Sequence, residues 1–198
     1  MSQAKVLSEK DVRRVLLNIA TKRHAVRNRA MFLVLQFSGM RVKELASLKI
    51  ADVLDSEGQI KNEIYLSAEQ TKGSSSRTVF LSTKAQDEIK TYLQHRFGVK
   101  DLLAVTFTDT SRALFNNQKG YDGFSASTLA QHFHYMYKSA QIDGASSHSS
   151  RRTFLTKLAN KNVSVRVLMQ IAGHKSLAVT QKYLDCNATQ IHESVNLI

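Results

Sequence analysis

Apolar residues recur at helical spacing through most of this chain and at strand spacing in one short stretch. Val12, Val15, Leu16 and Ile19 fall on one face of a 3.6-residue repeat. Ser8 and Asp11 stand ahead of them as a capping box, so a first helix is predicted from there through Ala20. Residues 26–37 are rich in Met, Phe, Leu and Val on every side, which predicts a buried helix, with Gly39 as its C-terminal cap. A short helix is expected over 41–48. Ile64, Tyr65, Val79 and Phe80 mark strands over 62–68 and 77–82, and the glycine- and serine-rich stretch 71–76 between them makes the pair a hairpin. Thr83 is placed to cap a helix reaching Phe97, and Ser125 to open one reaching Ala140. Further helices are predicted over 149–160 and 163–172, with an amphipathic segment over 177–187. No internal repeat or low-complexity linker divides the chain. The expected fold is mainly α with a small antiparallel β-sheet (α+β), in a single domain over 1–198.

Composition narrows the function classes. Lys and Arg number 28 against 16 Asp and Glu, a net charge of +12, which points to a polyanionic partner with nucleic acid first. Cys186 is the single cysteine, so an internal disulfide and a cysteine zinc cluster are excluded. No apolar run is long enough to span a bilayer and the start is polar, so a cytoplasmic protein with no membrane partner is expected. The absence of Trp argues against a base-stacking RNA module.

The chain has no P-loop, dinucleotide-binding glycine pattern, HExxH or zinc-finger spacing, and its carboxylates are scattered. Phosphodiester chemistry without a carboxylate cluster calls for a protein nucleophile and cationic side chains around the phosphate. The C-terminal third offers them. His148 and Arg151 stand three apart at a helix start, Gly173-His174 follows, and Tyr183 comes nine residues after His174. Upstream, Arg41 follows Gly39 at a helix start with Glu44 three residues on, and Lys72 sits in the hairpin turn. Each motif alone is weak; an HxxR or a Gly-His pair is common. Their ordered combination resembles the tyrosine recombinase (phage integrase) family, over nearly the whole chain from the second helix to Tyr183.

The resemblance implies a site-specific DNA recombinase that cuts and rejoins strands through a 3′-phosphotyrosyl link, needing no metal, ATP or other cofactor. Arg41 and Arg151 would clamp the non-bridging oxygens of the scissile phosphate; arginine suits this because its planar fork binds oxygens bidentately and keeps its charge. Tyr183 would be the nucleophile, and since a free phenol has a pKa near 10 the surrounding cations must favour its phenolate. Lys72 would protonate the leaving 5′-oxygen, His148 would assist proton transfer at the nucleophile, and His174 would donate a hydrogen bond to a non-bridging oxygen. Glu44 is expected to orient Arg41 or its helix. Lys43, Arg77, Arg152 and Lys175 are expected to contact DNA. The partner implied is double-stranded DNA bearing a specific recombination site, with a homotetramer on DNA and a monomer as an option for the free chain. Residues 184–198 form a C-terminal tail that is a candidate for exchange between subunits.

Departures from the family pattern are few. Arg152 stands where a second histidine often follows the motif arginine, and Ala145-Ser146-Ser147 stands where a proline is common. Only about forty residues precede Arg41, so the N-terminal core-binding domain of typical members is expected to be absent. That leaves a natural short form, resembling the fimbrial phase-switch recombinases, or an excised catalytic domain. Two other functions stay open: a DNA-binding regulator on the same fold that does not cut, and a type IB topoisomerase-like enzyme. The complete catalytic set argues against the first, and the short chain with histidine at position 174 against the second.

Overall fold

The computed structural model describes residues 3–71, 75–105, 107–118 and 122–183. The first helix, α1 (Glu9–Ala20), starts at the predicted capping box: the Ser8 hydroxyl accepts the Asp11 N–H at 3.1 Å and Asp11 accepts the Ser8 N–H at 3.0 Å. Its apolar face lies on α2 (Ala25–Ser38), where every residue from Ala30 to Gln36 is buried. This helix is the centre of the fold and packs against α1, α5 (Thr83–Phe97) and α8 (Ser149–Ala159). The stretch Ala30–Leu35 is buried on every side, which is why it is apolar without a polar face.

Two short helices follow, α3 (Val42–Ser47) and α4 (Ile50–Val53), and α3 lies against α7 (Ala126–Ser139). The one-turn α4 was not predicted, because four residues are too few to show a period. Strands β1 (Glu63–Leu66) and β2 (Arg77–Phe80) pair antiparallel with Ile64 opposite Val79, and Leu81 N–H to the Asn62 carbonyl at 2.7 Å carries the pairing one step further. The expected hairpin is present with shorter strands. Ser82, not Thr83, caps α5: Ser82 is extended (φ −68°, ψ 156°), and its hydroxyl accepts the Ala85 N–H, while Thr83 is already helical. A 3₁₀ turn (Leu102–Ala104) and α6 (Phe107–Thr110) lead to α7, capped as predicted by Ser125. Then come α8, α9 (Val165–Ala172, capped by Ser164) and α10 (Leu177–Gln181). The predicted segment over 177–187 runs beyond the described residues, which end at 183.

The N-terminal segment is strapped across α8. Leu7 is buried and its N–H donates to the Thr153 hydroxyl at 2.8 Å, so the chain start and the HxxR helix are fixed to each other. Among the described residues, no helix is long and apolar enough to cross a membrane.

Candidate active site

The site forms where three turning points of the chain meet: the end of α2, the base of the hairpin and the end of α9. Gly39 stops α2 in the left-handed region at φ 64°, and a Cβ there would lie 2.5 Å from the Phe154 ring. Glycine is therefore required both by backbone and by the approach of α8. The Gly39 carbonyl accepts an N–H of Arg151 from α8 at 2.6 Å, and Arg41 two residues later caps α3.

Glu44 sits one turn into α3 with no solvent exposure and holds two arginines. Its carboxylate accepts the Arg41 backbone N–H at 2.6 Å and the Arg41 guanidinium at 2.9 Å. It also accepts Arg77 Nε at 3.0 Å and Arg77 Nη2 at 2.7 Å, a two-pronged pairing. Burial pushes this carboxyl up, but the hydrogen bonds and charge of Arg77, with those of Arg41, outweigh it and hold Glu44 below the ordinary range. The expected orienting role for Glu44 thus has a geometry, and Arg77 shares it.

At the C-terminal end of α9, three successive carbonyls accept from three different arginines. Ile171 takes Arg77 at 2.9 Å, Ala172 takes Arg151, and Gly173 takes Arg41 at 3.2 Å. These are carbonyls a helix end leaves without intrahelical partners, and the negative end of the helix dipole favours cations there. Gly173 is left-handed (φ 59°), and a Cβ on it would stand 2.7 Å from Arg77 Cδ. The Gly-His pair read from the sequence is therefore the cap of α9 and the floor on which the arginines converge.

His174 follows directly. Its Nε2 lies 3.1 Å from Arg151 Nη2 and its Nδ1 lies 3.0 Å from the hydroxyl of Thr180, a buried residue of α10. Guanidinium only donates, so Nε2 accepts and Nδ1 carries the proton toward Thr180. Burial, then the charges of Arg151, Arg41 and Arg77, push the imidazole down to about 4, which keeps it neutral. His174 is expected to donate to phosphate; in this arrangement Nε2 is an acceptor engaged by Arg151 and Nδ1 is the ring's donor. Burial, then Arg41 and Arg77, likewise push the Arg151 guanidinium down to about 10. The Tyr183 ring stacks on His174, with centroids 5.9 Å apart and planes at 18°.

Two clefts open on this cluster. One, of about 500 Å³, lies between the hairpin base and α9–α10 and is lined by Arg41, Arg77, His174 and Lys175 among others. The second, of about 280 Å³, is lined by His148, Arg151, Arg152 and Tyr183, with Gln3 and Ala4 at its edge. Arg41, Arg151, His174 and Tyr183 are thus brought together, and His148 shares a cleft with Tyr183 from the cap position of α8. Lys72 lies outside the described residues, as does the tail over 184–198. Lys43 reaches the base of the hairpin turn, donating to the Thr71 carbonyl at 2.8 Å. Arg152 donates to the Ala4 carbonyl at 2.8 Å, and Lys175 is exposed at the rim. Thr180 was missed by sequence reasoning; its one signal is a polar residue that is buried on an otherwise exposed short helix, which only the fold reveals. Among the described residues, no group of three His, Cys, Asp or Glu side chains is arranged to hold a metal ion.

A buried helical scaffold that gathers two arginines, a histidine and a tyrosine beside two small clefts is the architecture of a tyrosine recombinase catalytic domain. The model of the Phage integrase family matches residues 5–190, and the chain belongs to that family. It is 28% identical over 193 residues to "Tyrosine recombinase XerA" of Pyrococcus furiosus, covering 96% of this chain and 60% of that protein. It is 28% identical to "Tyrosine recombinase XerC" of Myxococcus xanthus, covering 95% of this chain and 57% of that one. The crystal structure of XerA recombinase superposes with a TM-score of 0.73 at 27% identity, covering 99% of this chain and 64% of that chain. The catalytic domain of bacteriophage HP1 integrase, at 19% identity, shares the fold with a TM-score of 0.66, covering 98% of this chain and 95% of that one. The chain therefore spans about three fifths of the length of the two curated relatives.

Proposed function

We propose that this chain is a site-specific DNA recombinase that cleaves and rejoins strands through Tyr183. The observation that carries the reading is the convergence of Arg41, Arg151, His174 and Tyr183 on the end of α9, although Arg41 and Arg151 lie 110 positions apart. Arg151 is buried and its hydrogen-bond partners are two carbonyls and a neutral imidazole, with no carboxylate among them, which suits a cation held for a phosphate.

In this reading the scissile phosphate enters beside Tyr183 and its non-bridging oxygens take N–H groups of Arg41 and Arg151. Glu44 and the carbonyls of α9 hold those two guanidiniums in place beforehand, so little reorganisation is left for the transition state. The Tyr183 oxygen attacks phosphorus and a phosphotyrosyl bond forms as the bond to the 5′-oxygen breaks. Lys72 gives its proton to the leaving oxygen, and His148 takes the phenolic proton. One phosphodiester is exchanged for another, so rejoining is the same step reversed with a new 5′-hydroxyl and needs neither ATP nor metal. The Arg151–His174 bond opens when phosphate takes the arginine, freeing His174 to turn its Nδ1–H from Thr180 to a non-bridging oxygen of the same phosphate. Arg152 and Lys175 line the clefts and, with Lys43 beside the hairpin turn, contact the flanking backbone, while Arg77 holds Glu44. Two duplexes exchanging strands require four such sites, hence a tetramer on DNA.

The test is a nicked suicide duplex carrying the cognate site, with a covalent protein–DNA adduct as the readout. The native chain should form a protease-sensitive adduct and Tyr183→Phe should form none. An adduct that persists in Tyr183→Phe removes the tyrosine from its role. Specific binding without any adduct favours the non-cutting regulator, and relaxation of plasmid lacking the site favours the topoisomerase-like enzyme.

A further inference from the structure

At the opposite end of α2 from Arg41 lies a second basic cleft, of about 380 Å³, lined by Arg23, His24, Arg27, His95 and Arg96, with Asn116 and Tyr92 completing its wall. The 14 residues of α2 separate it from the catalytic end by about 21 Å at 1.5 Å per residue. No Asp or Glu lines it, and none of the ion pairs among the described residues involves its cations.

Three features of the cleft lack a counter-charge. Arg27 is 5% exposed, yet its guanidinium meets neutral groups, the Asn28 side chain at 3.0 and 3.2 Å, the Asn116 carbonyl at 3.0 Å and the Phe124 ring at 5.2 Å, and no carboxylate among the described residues. Buried charges are normally paired. Arg96 gives one terminal nitrogen to the carbonyls of Ala113 and Leu114, while the other, Nη2, is buried with no hydrogen-bond partner. The N-terminus of α2 also opens here: His24 at the cap position makes no side-chain hydrogen bond to the first turn, whose residues Ala25 and Val26 line the cleft. The positive end of the helix and its unfilled N–H groups add to the guanidiniums.

We propose that this cleft is a binding site for a phosphate-class oxyanion, distinct from the catalytic site. A phosphate oxygen accepts from Arg27 and from the first N–H groups of α2, while Arg96 and Arg23 supply charge from the α5 side and the rim. The group recognised is the same whether it belongs to a DNA backbone or to a free phosphorylated small molecule. The site stands on its own geometry and does not depend on the recombinase reading.

The experiment is an NMR titration of the intact chain with inorganic phosphate, and with chloride at equal ionic strength. The amides of Ala25, Val26 and Arg27 report on this cleft, and those of Gly173 and His174 report separately on the catalytic one. Saturable shifts of the first set with phosphate and not chloride are expected. Arg96→Gln should weaken that binding about tenfold, as loss of one charge-assisted contact does. Arg23→Gln, at an exposed rim position that leaves the core untouched, should weaken it measurably even if Arg96→Gln fails to fold. A short duplex that shifts the same amides and is displaced by phosphate identifies a backbone phosphate as the ligand; no shift with duplex identifies a free phosphate compound. Absence of phosphate-specific shifts at Ala25–Arg27, or affinity unchanged in Arg23→Gln, overturns the proposal.

Discussion

Arg151 donates to His174 across 3.1 Å, and that direction fixes the proton on the far nitrogen of the ring, where Thr180 receives it. A protonated His174 would set a donor against a guanidinium donor. Burial and then the charge of Arg151 therefore push the imidazole down to about 4. The folded value lies below the unfolded one of about 6.5, so the unfolded chain binds a proton between them that the folded chain refuses. The stability this neutral ring contributes is complete above pH 6.5 and is lost as pH falls toward 4. Imidazole NMR should show His174 neutral at pH 6, and urea unfolding should show stability dropping from pH 7 to pH 5. The part of that drop due to His174 should vanish in His174→Gln. Protonation of the folded-state ring near pH 6.5 contradicts the assigned hydrogen bond.

Glu44 is a buried carboxylate that two guanidiniums share, and its removal strands both. Glu44→Gln keeps the size but loses the charge, and breaking a buried pair of this kind costs about 3–5 kcal/mol. Urea unfolding measures that cost. The sign with pH is also set: Glu44 titrates below its ordinary 4.5 in the folded chain, so its contribution is present above that value and disappears as pH falls through the lowered one. DNA cleavage should fall with stability, because Arg41 loses the partner that aims it. A stability loss under 1 kcal/mol at pH 7 would mean the carboxylate is not shared as described.

Gly173 has two reasons to be glycine, a left-handed backbone and Arg77 beneath it at 2.7 Å from any added Cβ. Gly173→Ala should cost about 1–3 kcal/mol, the usual range for backbone strain at such a position. It should also disturb Arg77 and, through Glu44, Arg41. Gly98 provides the control: it too is left-handed (φ 66°), but nothing lies within 4 Å of an added Cβ. Gly98→Ala should therefore be milder in thermal melts and leave cleavage unchanged. Equal effects at both positions would place the cost in the backbone alone.

These relationships divide what the sequence makes legible from what it hides. Helices with a capping residue and a periodic face, such as α1 and α7, are written in local chemistry. Arg41, His148, Arg151 and His174 each stand at a turn or helix start that glycine or serine announces, while Tyr183 is picked out only by its distance from His174. The contacts among them are not local. Arg77 and Lys43 look like any DNA-facing cations in sequence, yet Arg77 is given to Glu44 and Ile171 and Lys43 to Thr71. Thr180 is one threonine among several until α10 folds it under His174. The one-turn α4 and the shift of the α5 cap from Thr83 to Ser82 turn on single hydrogen bonds, below the resolution of a hydrophobic period.

Lys72 and Lys43 can be told apart by leaving-group chemistry. In the proposed reaction Lys72 protonates the 5′-oxygen, so Lys72→Ala should slow cleavage by about 10²–10⁴-fold, the usual worth of a general acid. Lys43 donates to the Thr71 carbonyl at the base of the same turn, so Lys43→Ala should also slow cleavage, by loosening the segment beside Lys72. A substrate with sulfur in place of the bridging 5′-oxygen separates the two effects. A thiol has a pKa near 8.5, so a thiolate leaves near neutral pH without a proton being supplied. Single-turnover rates on that substrate should recover in Lys72→Ala, whereas any defect in Arg41→Ala should persist, since phosphate clamping does not depend on the leaving atom. Recovery in Lys43→Ala as well would assign its defect to the placement of the acid. Failure of Lys72→Ala to recover would take the proton donation away from Lys72 and leave it as a phosphate contact.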